Sequence, residues 1–157
     1  MEIKLLPEEL NIIQIIANLR GLVNRSNKTT NQKVSANPAQ DVEYDGLIGE
    51  YAFCKINNLY LDIVPTSRSG SYDCLFRNQR LDIKATRYKN GVLLGNTNRN
   101  PDVDVYVLAI IEDDVVRFPG YALGDELYRE ENLTTLGKYD KPVYALDQSR
   151  LHKFKNL

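Results

Sequence analysis

Histidine is nearly absent from this 157-residue chain, with His152 the only one. A single imidazole cannot build an HNH nuclease, an HExxH zinc enzyme or a multi-histidine metal centre. His152 also sits beside Arg150, Lys153 and Lys155, the setting of a solvated or capping residue. Cysteine is scarce as well: Cys54 and Cys74 are the only two, with no CxxC pair. A disulfide framework is therefore not expected, and the reducing cytoplasm is the natural compartment. No apolar run is long enough to span a membrane, and the Met1–Pro7 start lacks the basic-then-apolar order of a secretory signal. Neither sign of charge is in excess, with 20 Lys and Arg against 21 Asp and Glu. The global balance thus does not advertise a polyanionic partner.

What is present suits one folded domain over residues 1–157: 43% apolar and 26% charged residues, at a length one core can serve. Charge is unevenly placed. Thr66 to Arg99 holds seven basic residues against Asp73 and Asp82, whereas Asn100 to Glu131 holds nine acids against two bases. A locally basic segment fits a phosphate-facing surface, and equally plain solvated charge.

Pro7, Glu8 and Glu9 make a good helix start. Apolar residues recur at Ile12, Ile15, Ile16, Leu19, Leu22 and Val23, which predicts an amphipathic helix to about Arg25. The polar stretch 26–43 reads as a long loop, flexible or functional. A second helix is expected from an Asp45 N-cap to Asn57. Tyr72–Phe76 and Arg80–Thr86 read as a hairpin. Val103–Ile111 reads as a buried strand, Val115–Phe118 as a short strand, Gly124–Glu131 as a short helix, and Leu151–Leu157 as a closing element. This order implies an α/β or α+β domain with a central mixed sheet flanked by helices.

Asp82-Ile83-Lys84 carries the chemistry. Strand alternation sets Asp82, Lys84 and Thr86 on one face and the apolar Leu81, Ile83 and Ala85 on the other. A two-residue turn at Asn78-Gln79 would set Asp73 opposite Lys84, on the same face. Glu50 has Leu47, Phe53 and Cys54 as its helical neighbours, so its carboxylate needs a partner, such as a metal ion or a lysine. Gly46 and Gly49 in the same helix suggest close backbone approach. Carboxylate oxygens beside a lysine suit Mg²⁺. The metal could polarise a phosphate and acidify a bound water, with Asp73 and Asp82 as ligands. Glu50 would be a ligand or an orienter. Lys84 would position or deprotonate the water, or offset developing charge. An ordinary cross-strand Asp–Lys ion pair is the competing reading of the tripeptide.

The ordered set Gly49-Glu50-Tyr51-Ala52-Phe53, Tyr72-Asp73 and Leu81-Asp82-Ile83-Lys84-Ala85-Thr86 resembles the PD-(D/E)XK nuclease superfamily. The following strand and Phe118-Pro119-Gly120-Tyr121 look like the downstream half of its small, often phage-encoded members. Tyr72 stands where the family name has proline. The resemblance implies a restriction-endonuclease-like fold and Mg²⁺-dependent cleavage of DNA, less often RNA, with Mn²⁺ able to substitute. Asp73 and Asp82 become the metal-binding acids, Lys84 the catalytic lysine and Glu50 the helix acid. Arg77, Arg80, Arg87 and Lys89 are candidate phosphate contacts, and Tyr88 could stack on a base. Coordinated cutting of both strands would favour a homodimer, although no interface signature is visible. The alternative is a non-catalytic nucleic-acid-binding or regulatory protein on the same fold.

Overall fold

The computed structural model describes residues 1–26, 39–64, 72–135 and 141–156. Strand β1 (Glu2–Lys4) precedes helices α1 (Pro7–Ser26) and α2 (Ala39–Ile56). Strands β2 (Cys74–Phe76), β3 (Gln79–Thr86), β4 (Leu93–Gly95), β5 (Val105–Glu112) and β6 (Val115–Leu123) follow. The one-turn helix α3 (Gly124–Leu127) and strands β7 (Leu133–Thr135) and β8 (Pro142–Leu146) come last, before short 3-10 turns. Five strands form a mixed sheet in the order β1-β6-β5-β3-β2. Among the described residues only β3 and β5 run parallel in it. Strands β4, β8 and β7 form a second, antiparallel sheet. The expected α/β class, a mixed sheet flanked by helices, is what the chain forms.

Two apolar layers hold the main sheet. On one face Leu81, Ile83, Val107 and Ala109 pack with Ile13 and Ala17 of α1 and with Leu47, Ala52 and Phe53 of α2. On the other, Tyr106, Leu108 and Ile110 pack with Leu93, Leu127 and Leu146. Strand β5 is therefore buried on both sides, which explains its unbroken apolar run. Gly49 lets α2 approach closely: a Cβ there would lie 3.1 Å from the Ala85 Cβ and 3.2 Å from that of Ala109. Gly46 does not have this role, since nothing lies within 4 Å of its Cβ position.

The fold corrects several sequence expectations. In α1 the inward positions are Ile13, Ala17 and Arg20, while Ile12, Ile15, Leu19 and Leu22 are 48–60% exposed. This helix is apolar nearly all round, so periodicity alone did not select its inner face. Helix α2 begins at Ala39, so residues 39–43 of the expected loop are helical, and residues 27–38 lie outside the described ones. Ala39, Gln40 and Glu43 are adequate helix formers. Asp45 consequently lies inside the helix rather than capping it.

The hairpin turn is Arg77-Asn78, one residue earlier than expected, with φ of 49° and 65°. Two left-handed residues match the twist of a two-residue hairpin, and asparagine tolerates that region better than Gln79 would. Strand β6 runs past Phe118 to Leu123, through Pro119. Its pairing with β5 slips between Leu108 and Ile110, so the missing proline N–H falls at the irregularity. The expected helix Gly124–Glu131 divides into α3 and a 3-10 turn at Glu130–Asn132. The closing element is a bridge from His152 to Tyr121 and a 3-10 turn at Phe154–Asn156. No helix among the described residues is long and apolar enough to cross a membrane.

Candidate active site

Asp82 and Lys84 leave β3 on the face opposite α2. Their register partners are Tyr106 and Leu108, whose side chains belong to the second apolar layer. The Lys84 ammonium donates to Asp82 Oδ2 at 2.8 Å, and both side chains are partly buried. Burial works against the Lys84 charge, but the Asp82 carboxylate outweighs it and Asp73 adds to the effect. The lysine pKa is therefore pushed above its ordinary value. Lys84 is thus a held cation rather than a group ready to take a proton.

Asp73 lies just before β2. The β2–β3 register runs only from Cys74–Leu81 to Phe76–Gln79, two positions from the one the expected turn required, and Asp73 lies outside it. The ladder then slips: the Asp73 N–H donates to the Leu81 carbonyl at 2.8 Å, one residue out of step. The Asp73 carboxylate accepts the Ile83 N–H at 2.7 Å and so stands in for a backbone acceptor at the sheet edge. Its charge is felt at Lys84 on one side and at Cys54 and Cys74 on the other.

Glu50 is 7% exposed, within the apolar surroundings that its helical spacing implied. Its carboxylate pairs with Arg20 of α1, whose Nη1 lies 3.2 Å from Oε2. Arg20 is itself 4% exposed and also donates to the Asp62 carbonyl. Its Nε is buried with no hydrogen-bond partner among the described residues. The sequence reading missed Arg20, although its spacing of three from Ala17 and seven from Ile13 puts it on the inner stripe. Below Glu50 lie the free thiols of Cys54 and Cys74, both buried. Their shared hydrogen bond draws the Cys54 pKa down and, with burial, pushes that of Cys74 up.

Three of the four candidate phosphate contacts, Arg80, Arg87 and Lys89, sit beside acids. Arg80 Nη2 is 2.8 Å from Asp104, and Arg80 Nη1 is 3.4 Å from Asp102. This pairing holds the Asp104 carboxyl at about 2. Arg87 grips Asp45 of α2 with contacts of 2.7–3.1 Å. Lys89 is 3.9 Å from Glu112, and the Arg77 guanidinium lies 5.1 Å over the Phe76 ring. Arg99, from the same basic segment, pairs with Asp125 at 2.5 Å. Arg80, Lys89 and Arg99 of the basic segment thus meet acids of the later one. Tyr88 is 74% exposed.

The donor set can be weighed against a divalent cation. Asp73, Asp82 and Glu50 oppose Lys84 and Arg20, which leaves one net negative charge. All three acids offer hard oxygen, and Mg²⁺ commonly takes only one or two carboxylates plus water. Asp73 and Asp82 fit that demand, while Glu50 reaches the region from the helix layer and is held by Arg20. Among the described residues, no three His, Cys, Asp or Glu side chains are gathered as a ready-made metal cluster. Compared with known proteins, the chain matches no family model, no curated protein and no solved structure.

Proposed function

We propose that the chain is a divalent-metal-dependent nuclease acting on DNA, as its PD-(D/E)XK resemblance implies. The observation that carries this reading is the Asp82–Lys84 pair at 2.8 Å on one face of β3, with Asp73 at the adjoining strand end. Mg²⁺ bound by Asp73 and Asp82 would polarise a phosphate oxygen and acidify a water. Lys84 would offset the negative charge that grows on the phosphate, the role its raised pKa suits best. Asp82 also orients that ammonium. Glu50, engaged by Arg20, would act on the site as an orienter through its field and packing.

The test incubates linear, circular and branched DNA with Mg²⁺ or Mn²⁺, using the natural chain, Lys84→Ala and Asp82→Ala. Lys84→Ala should lower kcat by about 10²–10³-fold, the cost of losing one charge-stabilising donor. Asp82→Ala should abolish cleavage. Binding without cleavage under every condition would sink the enzyme reading. It would favour a non-catalytic nucleic-acid-binding or regulatory protein on the same fold instead.

A further inference from the structure

Arg99 stands on the same face of the main sheet as the Asp82–Lys84 pair, reached from it through two aromatic rings. In the parallel ladder of β3 with β5, Asp82 is the register partner of Tyr106, and register partners share a face. The Tyr128 ring lies edge-on to that of Tyr106, with centroids 5.5 Å apart. The Arg99 guanidinium carbon in turn lies 5.7 Å from the Tyr128 centroid. Two further supports hold this guanidinium. A Cβ on Gly124 would stand 2.7 Å from Arg99 Nη2, so the group lies against bare backbone. Its Nη1 pairs with Asp125 at 2.5 Å. Arg99 also adds to the stronger effect of Arg80 at Asp104, just ahead of β5, where together they hold the carboxyl at about 2.

We propose that Arg99, seated on Tyr128 and Gly124, binds a phosphate of the DNA strand flanking the one to be cut, and exchanges Asp125 for it. The inference rests on the nuclease reading of Asp73, Asp82 and Lys84. Arg80 differs from Arg99 in its partners, since its Nε and both Nη groups are engaged by Asp104 and Asp102. The Asp125 side chain is 87% exposed and that of Arg99 39%. An ion pair so open to water contributes little and gives way readily to another anion. A guanidinium presents a planar fork that matches phosphate oxygens in pairs. Ring and backbone hold this fork in place beforehand, which reduces the ordering lost on binding. Arg99 takes no part in the chemistry. It sets where the strand lies on Asp82 and Lys84, so its effect belongs to KM rather than kcat.

The experiment follows cleavage of a linear duplex with Mg²⁺ and binding of the same duplex, fluorescein-labelled, by anisotropy with Ca²⁺ in place of Mg²⁺. Arg99→Gln should raise Kd and KM about 10-fold while kcat stays within about twofold. Its plot of log Kd against log salt should lose about one unit of slope, the signature of one phosphate contact. Gly124→Ala keeps every charge but displaces the guanidinium, and should raise Kd about threefold. Asp125→Asn removes the competing carboxylate and should tighten binding about threefold. Arg150→Gln deletes the same charge from another exposed pair, that with Glu131, and should leave Kd unchanged. The Tm of Arg99→Gln should match that of the natural chain, because its ion pair is exposed. Three results overturn the proposal: binding indifferent to Arg99→Gln, an equal loss in Arg150→Gln, or affinity lost together with Tm. A fall in kcat at unchanged KM does so too, since it would place Arg99 in the chemistry. If the natural chain cuts DNA and Arg99→Gln cuts it equally well, this assignment falls and the nuclease reading stands. A natural chain that neither binds nor cuts removes both.

Discussion

Arg20 and Glu50 face each other between α1 and α2, both almost sealed from water. Removing one partner leaves the other as an uncompensated buried charge, so Arg20→Met should cost roughly 3–5 kcal/mol. Urea unfolding should also show Arg20→Met with Glu50→Leu recovering most of that loss. A single variant as stable as the natural chain would refute the coupling. Glu9 makes a second, more accessible anchor. Partial burial works against its charge, but the Leu6 N–H, Lys55 and Tyr51 outweigh this and hold its carboxyl at about 2, against an ordinary 4.5. Its folded pKa is depressed, so its stabilisation is complete above about pH 4.5 and disappears as the pH falls through about 2. Glu9→Gln should therefore be less stable by about 2 kcal/mol at pH 7 and match the natural chain near pH 2. A deficit independent of pH would show that packing, not charge, was lost. At this scale Asp82 and Lys84 were legible because strand alternation needs only a parity. Arg20 was not, because a basic residue on a helix reads as solvated until a buried acid claims it.

At the scale of elements, α2 rests on the sheet through one glycine. Gly49→Val would drive methyl groups into Ala85 and Ala109, already 3.1 and 3.2 Å from a bare Cβ, and should cost about 1–3 kcal/mol. Gly46→Ala meets nothing within 4 Å and should stabilise by about 0.5–1 kcal/mol through helix propensity and a stiffer unfolded chain. Thermal melts of the two variants should therefore move in opposite directions, and parallel shifts would contradict the packing described. Strand β5 was legible because burial on both faces leaves an unbroken apolar run rich in valine and isoleucine. The second sheet was not. Its strands β4 and β7 have three residues each, and β8 only five, too short for a period of two to stand out. The hairpin turn was misplaced by one residue because Arg77 in a left-handed conformation has no sequence mark.

For the whole molecule, the basic and acidic segments of the chain are joined in part by ion pairs. Arg80, Lys89 and Arg99 each meet an acid from the later segment. A cation at Asp73 and Asp82 would relieve the remaining net negative charge and bind the folded state alone. With an affinity of about 1 mM, 10 mM Mg²⁺ should add roughly 1.4 kcal/mol of stability. The Tm should rise accordingly and stay fixed in Asp82→Asn. An equal rise in both would place the ion elsewhere. The parallel contact of β3 with β5 has a consequence in time. The β2–β3 hairpin closes over two residues, whereas Asp82 must wait for Tyr106, twenty-four positions along the chain, to be brought alongside. Short loops close first. The strand bearing Asp82 and Lys84 should therefore acquire its edge partner before its central one. Pulsed amide exchange should protect the hairpin ahead of β5, and simultaneous protection would refute that sequence of events.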